Sequence, residues 1–131
     1  MIKDVYQFNK EIIGTKQPKI PTNLTRERLL FALTAMYEEL YEFTKACNSN
    51  NIGESLDAII DLIYFAIGRA YEMGISEEQF ISCWKAIQQK NMQKKKGTKN
   101  RGTAIDAVKD STWIGPEEEI AKILKINYVQ K

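Results

Sequence analysis

Asp61 is a lone carboxylate inside the run Ile59-Ile60-Asp61-Leu62-Ile63-Tyr64-Phe65-Ala66-Ile67. An ionised side chain buried at such a place is costly unless it is paired, protonated or bound to a cation. Asp57 and Glu54 precede it by one and two helical turns, and Glu38, Glu39 and Glu42 stand on the predicted helix before that. Two like charges about 4 Å apart cost about 4 kcal/mol at an effective dielectric of about 20, so several such pairs call for neutralisation. A divalent cation relieves them better than partial protonation. Ligands that are all oxygen, without Cys or His, favour Mg²⁺, with Mn²⁺ as the alternative, over zinc. A solvated acidic face would be the bland explanation. Against it, the stripe holding Glu39 and Glu42 continues through Phe31, Ala35 and Ala46, which do not read as free surface.

A second set of residues carries the opposite charge. Phe80, Trp84 and Ile87 form the inner stripe of a third long helix, and that stripe projects onward to Asn91 and Lys94. Lys90, Lys95, Lys96, Lys99 and Arg101 surround them. A charge run is usually solvated, and Lys96 and Lys99 fit that description. Asn91 and Lys94 are predicted to point inward. Carboxylates with a cation on one wall and lysine, arginine and amide on another suit a polyphosphate, which Mg²⁺ and ammonium groups bind together. The chain has no histidine. That removes Ser-His-Asp and Cys-His catalysis, and the carboxylate-plus-histidine di-iron bundle.

Helices must position these groups. Val5, Phe8 and Ile12 mark a short amphipathic helix ended by Gly14, followed by a connector with two prolines over 15–24. A long helix is predicted from Thr25, its N-cap, to Cys47, with a core stripe of Leu29, Leu33, Met36, Leu40, Phe43 and Cys47. The next runs from Gly53 to Met73 with Gly74 as its C′ residue, and is apolar almost all round apart from the acids. The short turn between the two makes them antiparallel neighbours, so their acidic stripes can face one another. Ser76-Glu-Glu-Gln79 is a capping box and opens the third helix, to about Lys94. Beyond Gly97 the helical period is lost, apart from a short extended piece over Ile105–Val108 and a last helix after Gly115-Pro116. The expected fold is all-α, a helical bundle with a loop-rich C-terminal arm. It is read as a single domain over 1–131, comprising an N-terminal helix and connector (1–24), catalytic helices (25–96) and the arm (97–131).

At 131 residues, with 44% hydrophobic and 27% charged residues and a net charge of +2, the chain reads as one soluble, cytoplasmic domain. The charge is too small to argue for nucleic acid. Asp61 and Arg69 interrupt the best candidate membrane span, and the N-terminus lacks a signal peptide's apolar centre. Cys47 and Cys83 read as reduced, buried thiols.

Glu38-Glu39-Leu40-Tyr41-Glu42 resembles the EExxE motif of the all-α NTP pyrophosphohydrolases, the superfamily of MazG, dimeric dUTPases and phosphoribosyl-ATP pyrophosphohydrolase. Its second acidic motif has two spellings here, Glu54-Ser-Leu-Asp57 and Asp57-Ala-Ile-Ile-Asp61; the latter is similar to the phosphoribosyl-ATP pyrophosphohydrolase-like branch. Asp4-Val5-Tyr6-Gln7-Phe8, Lys90-Asn91-Met92 with Lys94 or Lys95, and the stretch from Ala107-Val108-Lys109 to Trp113-Ile114-Gly115-Pro116 also resemble that branch. The resemblance implies a Mg²⁺-dependent enzyme that cleaves a nucleoside triphosphate, ribo or deoxy, to the monophosphate and pyrophosphate. Glu38, Glu39, Glu42 and Asp61, with Asp57 or Glu54, would hold the metal. A metal-activated water would attack the α-phosphorus, with Glu39, beside Glu38, as general base. Lys90, Asn91, Lys94, Lys95, Arg101 and Lys109 would neutralise the phosphates, and Phe8 and Asn9 would meet the base. A homodimer or homotetramer is implied too. The competing expectations are a non-catalytic adaptor that binds nucleic acid or protein through the basic segment 90–101, and phosphoribosyl-ATP hydrolysis itself.

Overall fold

The computed structural model describes residues 1–99 and 105–130. Among these residues its architecture is all-α with one two-stranded sheet, and the chain divides into two compact units, Met1–Glu77 and Glu78–Lys131.

In the first unit, α1 (Ile2–Phe8) continues into a π-helical turn (Asn9–Ile13) that stops at Gly14. The long helices are α2 (Arg26–Asn48) and α3 (Ile52–Glu72). Each opens on a side-chain cap: Thr25 Oγ1 accepts from the Arg28 amide at 3.3 Å and Asn51 Oδ1 from the Glu54 amide at 3.2 Å. Such caps satisfy donors that a helix start leaves free. α2 and α3 pack antiparallel, as the short turn predicts. Arg28 meets Glu72, Phe31 lies under Arg69, and Cys47 lies 3.6 Å from Ser55 at the turn end.

The face α2 uses differs from the predicted one. Ala32, Ala35 and Ala46 are its buried residues, and Ser55, Ala58, Ile67 and Gly68 are among those buried on α3. The predicted stripe remains open in the chain, with Leu29, Leu33 and Leu40 each more than 40% exposed and Cys47 exposed as well. Small residues let the helix axes approach closely, so the alanine side of α2, which also carries Glu39, becomes the intrachain contact. Leu56, Ile59, Ile60 and Ile63 of α3 are likewise exposed.

The far end of α3 is tied to the N-terminal segment. Gly74 has a φ of +75°, and a Cβ there would stand 2.8 Å from the Pro18 carbonyl and 2.9 Å from that of Ile20. The left-handed conformation and the close approach both exclude a side chain. The next carbonyl, of Ile75, accepts two hydrogen bonds, from the Tyr6 hydroxyl and from Gln17 Nε2, each at 2.7 Å. Tyr6 packs edge-on against Tyr71 with ring centroids 5.1 Å apart. Burial, and then the charge of Glu77, push the Tyr6 phenol up to about 12.

The second unit holds most of α4 (Glu77–Asn91), the antiparallel strands β1 (Lys95–Thr98) and β2 (Ile105–Val108), and α5 (Glu117–Leu124). β2 coincides with the predicted extended piece. Its partner falls where the sequence predicts the end of a helix and the loop after it. Lys95 instead pairs with Val108 and Lys96 with Ala107. Ladder bonds to β2 hold these lysines extended once α4 ends at Asn91. Both cysteines are free; Cys83 is partly buried, whereas Cys47 is exposed, not buried as expected.

Candidate active site

α2 carries Glu38, Glu39 and Glu42, and α3 carries Glu54, Asp57 and Asp61. Because the alanine faces make the contact, these acids flank the seam between the helices. Only Glu39 is partly buried, and Asp61 is exposed. The ranking expected from sequence is therefore reversed, since Glu39 is the innermost carboxylate. Its Oε2 is shielded from solvent and has no hydrogen-bond partner. Burial raises the Glu39 carboxyl above the usual carboxylate range, and repulsion from Glu42, Asp61, Asp57 and Glu38 raises it further. Four predicted ligands thus act on the fifth. Glu54 lies farther along, where it lines a cleft of about 240 Å³ with Glu42, Asp57 and Lys45.

The donor chemistry fits a hard divalent cation: every group is a carboxylate, and one buried oxygen lacks a partner. Among the described residues no three acids or cysteines stand close enough to form a ready-made shell. Holding an ion requires the exposed carboxylates to swing toward Glu39.

Two turns along the helix pair lies a small notch of about 60 Å³. Phe8 and Asn9, the residues expected to meet the base, line it together with Ile13, Phe31, Tyr64, Phe65 and Arg69. Asn9 is buried and its Nδ2 donates to the Val5 carbonyl at 2.9 Å. The Phe8 and Tyr64 rings meet edge-on with centroids 5.7 Å apart. The guanidinium carbons of Arg28 and Arg69 stand 4.4 and 5.5 Å from the centre of the Phe31 ring, within cation–π range. Glu72, with a side chain 4% exposed, pairs with Arg28 and sits 3.5 Å from Arg69 Nε. Arg69 Nη1 is buried with no acceptor. Burial lowers the Arg69 guanidinium from its ordinary value, and Glu72 opposes that shift.

In the second unit the predicted basic residues gather around Trp113. Its Nε1–H donates to the Lys90 carbonyl at 2.9 Å, and the ammonium groups of Lys109 and Lys94 stand 4.4 and 5.4 Å from its ring centre. Lys94 also donates to Asn91 Oδ1 at 2.7 Å. Asn91, expected to face inward, is exposed. Lys95 pairs with Asp110 at 3.1 Å. The Thr112 hydroxyl, Lys95 and the Thr112 amide bring the Asp110 carboxyl down to about 2. Arg101 lies outside the described residues.

Sequence reasoning missed Lys45, Arg28, Phe31 and Arg69. Lys45 follows Glu42 by three residues, which places it on the same helical face. Arg69, a charge in an apolar run, carried the same signal as Asp61.

No helix among the described residues is long and apolar enough to cross a membrane. No curated protein matches the chain. The family model for phosphoribosyl-ATP pyrophosphohydrolase matches residues 5–91, a span containing all six acids and the notch. The chain belongs to the phosphoribosyl-ATP pyrophosphohydrolase family and is a hydrolase acting on phosphoric anhydrides.

Proposed function

We propose that this pyrophosphohydrolase cleaves nucleoside triphosphates, ribo or deoxy, to the monophosphate and pyrophosphate in a Mg²⁺-dependent reaction, with Mn²⁺ as a substitute. The observation that carries the reading is the Glu39 carboxyl, buried at one oxygen and repelled by four other acids. Held by Glu38, Glu39, Glu42 and Asp61, with Asp57 or Glu54, the divalent ion would supply neutralisation of the triphosphate and acidification of a water. Glu39 would serve as general base, being the one partly buried carboxylate of the set. Glu38 is the second candidate for that role. Lys45, in the cleft with Glu42, Glu54 and Asp57, offsets charge developing on the departing pyrophosphate. Lys90, Asn91, Lys94, Lys95, Lys109 and Arg101 are the further phosphate-binding residues that the family resemblance implies.

The direct test incubates the protein with a panel of NTPs and dNTPs plus Mg²⁺ and resolves the products. Monophosphate with pyrophosphate supports the reading. Absence of turnover, or orthophosphate alone, overturns it. Phosphoribosyl-ATP belongs in the panel as the family's own substrate.

The assembly proposed is a homodimer or homotetramer. Its support is the apolar stripe of Leu29, Leu33 and Leu40 with Ile59, Ile60 and Ile63, left exposed by the chain that carries it. Light scattering should give a mass at least twice that of one chain, and Leu33→Asp with Ile60→Asp should lower it. A wild-type monomer would refute the assembly.

A further inference from the structure

We propose that the cleft at the turn end of α2 and α3 receives the terminal phosphate of a triphosphate chain, with Lys45 as the residue that distinguishes three phosphates from two. The inference rests on the nucleotide reading above and deepens it, because it names the substrate by the length of its phosphate chain.

The first observation is direction. Along α2, Glu42 and Lys45 follow Glu39 by three and six residues, about 4.5 and 9 Å at about 1.5 Å per residue. Along α3, Asp57 and Glu54 precede Asp61 by four and seven residues, about 6 and 10.5 Å on the same scale. The helices are antiparallel, so both series advance from Glu39 and Asp61 toward the turn that joins them. Phe8 and Asn9, which the resemblance gives to the base, lie on the opposite side. They line the notch with Phe31, eight residues before Glu39, and Arg69, eight after Asp61. The α-phosphate joins the nucleoside to the leaving group. With the nucleoside toward the notch, the leaving group runs toward Lys45.

The second observation is charge. Lys45 is the one cation among the four residues lining the cleft, beside Glu42, Glu54 and Asp57. Its ammonium is exposed and lies over Tyr41, 5.8 Å from the ring centre, in no ion pair among the described residues. Three carboxylates against one ammonium leave the cleft net negative. It therefore repels a bare anion and admits one that arrives with a divalent cation. A terminal phosphate carries a charge of about −1.5 to −2 near neutral pH, more than an internal one, so the ammonium gains most from the end of the chain. A diphosphate ends one phosphate sooner, nearer Glu42 and Asp57 than Lys45. The third observation is room. The cleft, at about 240 Å³, is several times the volume of one liquid water, about 30 Å³, and can hold a phosphate group.

Two measurements on the full chain test this. With Mg²⁺, kcat/KM for a nucleoside triphosphate should exceed that for its own diphosphate by about 10-fold or more, the scale of one hydrogen bond to a charged group. Lys45→Gln should cut the triphosphate value by about 10-fold and the diphosphate value much less, so that the ratio falls toward unity. Lys45→Arg, which keeps the charge, should keep the preference. Calorimetry with inorganic pyrophosphate supplies a readout that needs no turnover. Pyrophosphate should bind wild type when Mg²⁺ is present and not without it, and Lys45→Gln should bind the Mg²⁺ complex about 10-fold more weakly. The same variant should bind Mg²⁺ alone more tightly, because the three carboxylates lose a competing charge; a damaged fold would weaken both. Equal use of triphosphate and diphosphate by wild type, equal losses on both in Lys45→Gln, or pyrophosphate binding that the variant leaves unmoved overturns the assignment while nucleotide turnover stands. Pyrophosphate binding without metal also overturns it, in favour of a plain anion patch. Absence of all turnover sinks the enzymatic reading, and Mg²⁺-dependent pyrophosphate binding weakened in Lys45→Gln would still uphold the cleft.

Discussion

Asn9 occupies the space that Gly68 leaves by having no side chain: a Cβ at residue 68 would stand 2.9 Å from Asn9 Nδ2 and 3.2 Å from Oδ1. Asn9 is 4% exposed and its amide is engaged by the Val5 carbonyl, so it has little room to retreat. Gly68→Ala sets an overpacking cost of about 1–3 kcal/mol against a helix-propensity gain of up to about 1 kcal/mol. The expected net is a loss of about 1 kcal/mol, read by urea denaturation. KM for the preferred nucleotide should rise as the π-helical turn is pushed away from α3.

Glu39→Gln removes the charge that its neighbours repel. In the presence of a chelator the variant should melt at or above the wild-type temperature, while turnover falls by at least about 100-fold for loss of a general base. Asp61→Asn should behave alike, since Asp61 is exposed and anchors nothing in the metal-free fold. Mg²⁺ should raise the wild-type melting temperature and move that of neither variant by as much. A large loss of metal-free stability in Asp61→Asn would identify a structural acceptor.

Glu72 balances two guanidiniums from inside the protein. Glu72→Ala leaves Arg69, 13% exposed, facing Arg28 without compensation. Removing one partner of a buried pair costs about 3–5 kcal/mol, which chemical denaturation will resolve. Arg28→Ala should cost clearly less, because Arg28 is 36% exposed and Glu72 keeps Arg69.

The Tyr6 phenol fixes the sign of an alkaline transition. Below its ordinary value of 10.0 it is neutral in both states and its contribution is complete. Between that value and about 12 the unfolded chain releases the proton while the folded chain keeps it, so stability falls as pH rises. Tyr6→Phe should lose about 0.5–1.5 kcal/mol at neutral pH with its hydrogen bond to Ile75. It should also show a shallower decline above pH 10, and equal slopes would contradict the assignment.

Local chemistry made the helices legible before the structure: Thr25 caps, Gly74 stops, and the acids keep helical spacing. Tertiary choice was harder to read. α2 has two apolar sides, and hydrophobic weight favours the Leu29–Leu33–Leu40 side, yet close approach of two helices rewards the alanine side. That choice decides which carboxylate is innermost, so the acid set was readable and its ranking was not. β1 was hidden because Lys95 and Lys96 have weak strand preference and owe their conformation to β2, about ten residues away. Arg69 reads as an interruption in an apolar run because Phe31, the ring it lies over, belongs to the other long helix.

The double acceptance by the Ile75 carbonyl has a consequence for how this sequence can drift. A main-chain oxygen is present whatever residue stands at 75, so mutation there leaves the acceptor in place. The constraint falls on the donors instead, Tyr6 and Gln17, eleven positions apart in the segment that carries Phe8 and Asn9. Changes at its exposed positions, such as Phe8 and Ile13, can retune the notch as long as those two side chains survive. Specificity and anchorage are thereby written in the same short stretch of chain but at separate positions, which lets one diverge while the other is kept.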